Sequence, residues 1–420
     1  MQNISMNDLI KAINLVEDGK YEEGLAQLSR LLKNADEETA FQIALQYQEW
    51  GMVEDAHAIL LRLQKHHPND SNILMALAEV EIDLDKEDQA IDWLINIHQL
   101  DENYLSAQVL LADLYQAQGL EEAAEHRLKE AYKVAPKEPI LIFALAEFYA
   151  SVGQAGQAID LYKQIIDAEV LQHENINLKL AEALSYNGQF EEALVYYKKG
   201  LESEKALDGL FGYGMTAYRI GQYKTTITAL EELKDLDPQY STLYPLLAKA
   251  YEEEGAMDEA IATLEAGLKV DEYNEQMLIE ASDLAMKMNT VEKAQNYLEQ
   301  LLSINPESTD ALKKLIEIKR EQEDFEAIIQ ILDQETTDPE LLWYLSRAYV
   351  EVEEIEKALP LYSQIHVHFN EDPEFLREYG ELLWEMGNRE EALSLLQNAL
   401  RFDPENDELR AFVERIEEDF

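Results

Sequence analysis

The chain has 420 residues, 47 % of them hydrophobic, and 86 acidic against 34 basic side chains leave a formal net charge of −52. Such a charge repels phosphate backbones and anionic headgroups, which argues against nucleic-acid and membrane partners and favours steering of basic ones; keeping a long chain from self-association would explain the acid equally well. Cysteine is absent, so there is no disulfide framework and no thiol chemistry, as suits a reducing, cytoplasmic setting.

The opening segment MQNISMNDLIKAINLVEDG lacks a basic leader and carries Asp8 within its apolar stretch, so it reads as a first amphipathic helix rather than a signal peptide. From there a helix-breaking or small polar residue recurs twelve times: Gly19, Gly51, Asp85, Gly119, Gly153, Gly188, Gly221, Gly255, Asn289, Glu323, Glu353 and Gly387. A spacing of about 34 residues is the mark of a helical repeat array. Apolar residues recur three and four apart on both sides of each punctuation, which predicts two amphipathic helices per unit joined by a tight turn. With the punctuation taken as position 15, position 8 is small (Ala44, Ala78, Ala112, Ala146, Ala181, Gly214, Ala248, Ser282, Gly380) and position 20 is usually alanine (Ala56, Ala90, Ala124, Ala158, Ala193, Ala260, Ala294, Ala358, Ala392). Small residues at these two places let the paired helices approach closely. Tyrosine at position 11 (Tyr47, Tyr115, Tyr149, Tyr251, Tyr349) fills the gap to the next unit, and proline at position 32 (Pro68, Pro136, Pro238, Pro306, Pro404) ends the second helix.

On these residues the chain resembles the tetratricopeptide repeat (TPR) family over nearly its whole length. Runs such as LLADLYQAQGLEEAAEHRLKEAYKVAP and LLAKAYEEEGAMDEAIATL carry the family's small residue, tyrosine, glycine, alanine and proline in register. Length, acidity and repeat count also resemble the YpiA-like bacterial TPR proteins. The resemblance implies an all-α, right-handed superhelical solenoid of about twelve repeats with a C-terminal capping helix, whose first helices line a concave groove through positions 2, 5, 9, 12 and 13. Gly24 and Thr226 at position 20, and the blurred tenth unit around Glu323 and Phe325, depart from the pattern.

Mapped in chain order, residues 5–206 hold repeats one to six, with a uniformly acidic position 9 in units three to six: Glu79, Asp113, Glu147 and Glu182. Large apolar groups, Phe41, Met75, Phe143, Tyr186 and Phe211, stand among these acids. Family members that grip an acidic peptide terminus place Lys, Asn and Arg in the groove, so this row implies the opposite preference, a segment carrying Lys or Arg. Residues 207–338 hold repeats seven to ten, where Gly209, Gly212 and Gly214 weaken a first helix and suggest a hinge. Residues 339–406 hold repeats eleven and twelve, preceded by a second candidate hinge at Thr336 to Pro339 and interrupted by Pro360, which is expected to kink its helix. Inferred groove positions of this half are mixed, with Lys249, Lys287, Lys313, Arg320, Arg347 and Arg377 beside Glu252, Asp283, Glu317 and Glu381. Trp343, Arg347, Arg377 and Trp384 are of the residue types most enriched at binding hot spots and form the second candidate contact, although a tryptophan on a repeat helix often packs between units. Residues 407–420 read as the capping helix.

No catalytic motif is visible, no cofactor is implied, and the histidine pairs His66/His67 and His366/His368 lie near helix C-termini, where a cation complements the dipole. The favoured function is a non-catalytic scaffold or adaptor that holds basic or mixed-charge segments of partner proteins. The alternative is a regulatory module or assembly chaperone for one basic client.

Overall fold

The computed structural model describes residues 6–171, 173–332 and 336–418. Among these residues there are twenty-five α-helices, one 3-10 turn at Glu169–Leu171 and no strand. The chain forms two compact units, Met1–Gln222 and Tyr223–Phe420. The division falls between the two helices of repeat seven, Leu207–Arg219 and Tyr223–Leu236. Within each unit, helices pack chiefly on their neighbours in sequence, so each repeat buries its apolar face against the repeats beside it.

All twelve punctuating residues adopt the left-handed backbone, with φ from +55° at Glu323 to +82° at Gly19. Their neighbours make the bonds of a Schellman turn, in which the N–H of position 16 reaches the carbonyl of position 11: Met52 to Tyr47, Gln154 to Tyr149 and Glu354 to Tyr349, each 2.8 Å. Glycine adopts this conformation at no steric cost. Asp85, Asn289, Glu323 and Glu353 adopt it against the preference of an L side chain.

The small-residue positions are where the two helices of a repeat touch. The nine alanines at position 20 are fully buried. A Cβ on Gly380 would lie 2.8 Å from Leu396, so in repeat twelve position 8 cannot enlarge unless that leucine of the second helix gives way. The departures at position 20 fit the same rule. A Cβ on Gly24 would fall 2.5 Å from Val16 and 2.9 Å from the Ala12 carbonyl, and Thr226 is completely buried. The irregular tenth repeat has a full first helix, Thr309–Glu321, but a second helix of only seven residues, Phe325–Ile331. The candidate hinge after it borders residues 333–335, which lie outside the described residues; beyond them Asp338 caps the next helix by accepting from the N–H groups of Glu340 and Leu341. Pro360 does not end its helix, which runs on from Ile355 to Ile365.

Two of the three candidate hinge glycines of repeat seven, Gly209 and Gly212, pack closely against repeat six. The helix Leu207–Arg219 is continuous. A Cβ on Gly212 would stand 2.6 Å from the Tyr197 hydroxyl, and one on Gly209 would stand 3.0 Å from Leu178. Both glycines therefore make room for side chains of repeat six. The last helix, Asp407–Glu418, buries Leu409, Val413 and Ile416 in the apolar cluster that runs through repeats ten to twelve.

Candidate functional site

The predicted groove row lies on four successive first helices of the N-terminal unit, Ser71–Asp83, Tyr104–Ala117, Pro139–Ser151 and Ile176–Tyr186. Glu79 and Asp113 are exposed, whereas Glu147 and Glu182 are half-buried. Glu147 is neutralised from the next repeat: its Oε2 lies 2.9 Å from Lys179 Nζ, and its Oε1 accepts from the buried Tyr162 hydroxyl. Lys179 stands at position 6. In repeats four, five and seven that position is Leu110, Ala144 and Gly212, so the neighbours of Glu79, Asp113 and Glu182 supply no ammonium there. Desolvation by surrounding protein raises all three carboxyls. Asp83 adds to the effect at Glu79, which also takes a hydrogen bond from Gln48, and at Glu182 the nearby Lys179 opposes it while Glu147 and Asp208 reinforce it. A carboxylate that is accessible to solvent yet costly to ionise is one that a cation would stabilise.

Phe143 is half-buried, its ring centroid 6.4 Å from that of Tyr162, and Phe211 is half-buried on the helix Leu207–Arg219. Tyr186 is 89 % exposed, an aromatic face open at the end of its helix.

In the C-terminal unit the same register is occupied differently. Lys249 meets Glu280 at 2.7 Å, Asp283 meets Lys314 at 2.6 Å and Arg347 meets Glu378 at 2.7 Å, in each case position 9 of one repeat with position 6 of the next. Lys287 pairs with Glu252 at 2.5 Å, and Lys313 pairs with Glu340. Most of the basic groove residues read from the sequence are therefore engaged across repeat boundaries.

The tryptophan cluster divides. Arg347 lies over the Trp343 ring at 4.2 Å, and both side chains converge on Glu378, whose Oε2 accepts from Trp343 Nε1 at 2.8 Å, Arg347 Nε at 2.9 Å and the Tyr362 hydroxyl at 3.1 Å. Trp343 also packs on Phe369 and Phe375. Trp384 sits under Arg389 and against Phe412 of the last helix, while Arg377 is half-buried and partly offsets the desolvation that raises Glu381.

Sequence reasoning missed the partners that set the state of each position 9. Tyr162, Tyr197 and Tyr362 stand at position 24, which is leucine in the other repeats, as in Leu60, Leu128 and Leu264. A buried tyrosine must place its hydroxyl on a partner, so a tyrosine in place of that leucine was a readable sign of a polar group within reach: Glu147 for Tyr162, Glu378 for Tyr362 and Thr216 for Tyr197. His66 and His67 likewise share an unforeseen partner, each bonding one oxygen of Glu37. Among the described residues no three His, Asp or Glu side chains converge as a metal ion requires, and no helix is long and apolar enough to cross a membrane.

Comparison with known proteins agrees with this architecture. Models of YpiA-like tetratricopeptide repeats match residues 116–170, those of the YpiA-like C-terminal repeats match 339–406, and general tetratricopeptide-repeat models match 178–241, 242–274 and 275–308. The TPR repeat-containing protein YpiA of Bacillus subtilis (strain 168) is 37 % identical over 421 residues, covering 99 % of this chain and 100 % of that protein. Among solved structures, the C-terminal part of a TPR repeat-containing protein from Cytophaga hutchinsonii aligns at 17 % identity and TM-score 0.49 over 57 % of this chain and 98 % of its own. YrrB, described as a TPR protein with an unusual peptide-binding site, aligns at 17 % identity and TM-score 0.39 over 44 % of this chain and 96 % of its own. Repeats of this kind generally mediate protein–protein interaction. The twelve left-handed elbows, the buried alanine pairs and the full-length likeness agree: the chain belongs to the YpiA-like family of tetratricopeptide-repeat proteins.

Proposed function

We propose that this protein is a non-catalytic cytoplasmic scaffold whose N-terminal groove binds basic or mixed-charge segments of partner proteins. The observation that carries the reading is the open row of Glu79, Asp113 and Glu182: desolvated carboxyls with no ammonium from the neighbouring repeat, flanked by Phe143, Tyr186 and Phe211. An incoming Lys or Arg supplies the missing charge, and the aromatic rings add cation–π contacts. Glu147 belongs to the row but already holds Lys179, so its part is to position that lysine. Trp343, Arg347, Arg377 and Trp384 form a second, lesser contact in the same reading, because Trp343 and Arg347 direct their polar groups to Glu378.

The test is affinity capture from native lysate at low and at physiological salt, with Glu79, Asp113 and Glu182 reversed together to lysine in a parallel sample. Basic proteins retained by the native chain and lost by the reversed one, with helicity unchanged, support the reading. Equal capture by both would mean that the acid only solubilises.

A further inference from the structure

One cavity recurs between successive repeats of both units in a fixed register. It is walled by positions 9, 12 and 24 of one repeat and positions 6, 9, 10 and 13 of the next. Between repeats eight and nine it is about 160 Å³ and lined by Lys249, Glu252, Leu264, Asp283 and Lys287 among others; between repeats eleven and twelve it is about 170 Å³, around Arg347, Tyr362 and Glu381. Between repeats five and six the same place opens to about 580 Å³.

The difference lies in side chains. Positions 12 and 13 of the first repeat are Ala150 and Ser151, where repeat eleven has Val350 and Glu351. Position 10 of the second repeat is Ala183, where the other two cavities have Leu284 and Leu382. In repeats eight and nine the Lys287 and Glu252 pair also spans the cavity. Between repeats five and six, the lysine and tyrosine on the wall are both bound to Glu147. Glu182, by contrast, has no hydrogen-bond or ion-pair partner among the described residues, and the Tyr186 ring stands open at the rim. Burial raises the pKa of this carboxylate, with Glu147 and Asp208 adding to the effect and Lys179 only partly opposing it.

Resting on the scaffold reading, we propose that the cavity between repeats five and six is the specificity pocket of the groove and receives an arginine side chain from an extended segment of a partner protein. Three features favour arginine over lysine. A planar guanidinium can stack on the exposed Tyr186 ring while making two parallel hydrogen bonds to Glu182, which a point charge cannot do. The small side chains Ala150, Ala155 and Ala183 leave an apolar wall for the stem. Lys179, held by Glu147, places a positive charge beside the site; a weakly hydrated, delocalised cation tolerates that better than a second ammonium does.

The test uses the full chain labelled at alanine methyl groups and a capped Gly-Ser-Gly-Arg-Gly-Ser-Gly peptide, with citrulline and lysine versions as probes. The expected result is a saturable NMR shift centred on the Ala150, Ala155 and Ala183 methyls. The neutral citrulline peptide, of the same shape, should bind about tenfold more weakly, the loss of one charge-assisted pair, and the lysine peptide more weakly than arginine. Glu182→Gln should weaken the arginine peptide by about fivefold or more, while Glu381→Gln, at the same register in repeats eleven and twelve, should leave it unchanged. Equal binding of arginine and citrulline peptides, no saturable shift of these three methyls, or insensitivity to Glu182→Gln would overturn the pocket. Capture of basic partners through Glu79 and Asp113 would survive any of those outcomes, so failure of the pocket and failure of the groove are separately visible.

Discussion

Repeats five and six of the N-terminal unit and repeats eleven and twelve of the C-terminal unit put the same three positions together and reach opposite ends. In both, an acid and a base meet across the repeat boundary beneath a buried tyrosine: Glu147 and Lys179 with Tyr162, and Arg347 and Glu378 with Tyr362. In the C-terminal unit the pair is roofed by Trp343, extended by Glu374, and set in a small cavity. In the N-terminal unit the following carboxylate, Glu182, is left over in a large one. Glu381, the following carboxylate of the C-terminal unit, is likewise raised by desolvation, so the two boundaries differ in how the pair is roofed and in the size of the cavity beside it rather than in the charge at that position. Charge at a groove position says little until its partner one repeat away is known.

The largest expected effect that sharpens this contrast is at Glu378. Glu378→Ala strands the Arg347 guanidinium and removes the acceptor shared by Trp343 and Tyr362, which should cost about 3 kcal/mol; denaturant unfolding with hydrogen exchange read over residues 339–416 checks it, and a loss below about 1 kcal/mol would show that the knot is not structural. Next is the swap Glu147→Lys with Lys179→Glu, which copies the polarity of the other pair and lets Tyr162 donate to the new glutamate. Each single change should destabilise, and the double change should recover a coupling of roughly 0.5–3 kcal/mol; additive losses in thermal melts would break the equivalence of the two sites.

A smaller effect concerns the open acids. A carboxyl raised in the folded state contributes stability that is fully present below its unfolded value, 3.8 for Asp113 and 4.5 for Glu182, and lost as pH rises through the folded value. The double variant Asp113→Asn, Glu182→Gln should therefore melt higher than the native chain near neutral pH, and the difference should shrink on mild acidification. A difference that is constant with pH would mean that the acids are ordinary solvated surface. Smallest is the elbow of repeat eleven: Glu353→Gly relieves a left-handed side chain at φ +62° and should stabilise by about 0.5–1 kcal/mol, whereas Gly387→Glu in repeat twelve should do the reverse in the same melts.

The fold was legible because it is set by steric rules that repeat. A left-handed elbow selects glycine, a close helix contact selects alanine, and each rule is sampled twelve times, so Gly19 or Ala56 need not be judged alone. The exceptions were legible as exceptions but not as to cause. Nothing in the sequence says that Gly24 meets Val16, or that Gly212 yields space to Tyr197. The acidic row of the N-terminal unit was also visible, since it needs only the repeat register. What could not be read was pairing. Arg347 and Trp343 look like exposed hot-spot residues until Glu378, thirty-one residues beyond Arg347, is brought beneath them. Position 9 and position 6 of the next unit lie on different helices, and only stacking tells which side chains share a boundary.

The polarity of these boundary pairs bears on how a chain of look-alike modules finds its proper order. Reading along the C-terminal unit, the earlier member of each pair is basic at Lys249, acidic at Asp283 and basic again at Arg347. A helix pair that docked one module too far would place Lys249 beside Lys314, two like charges, whereas its correct neighbour offers Glu280. Modules of nearly identical shape are at risk of misassembly during folding, and the reversal of sign between Lys249 and Asp283 disfavours a slip of one module at that junction. Excision of repeat nine, which joins repeat eight directly to repeat ten, should accordingly yield a weaker junction than the shape of the repeats alone would predict, and Lys314→Glu in that shortened chain should restore it.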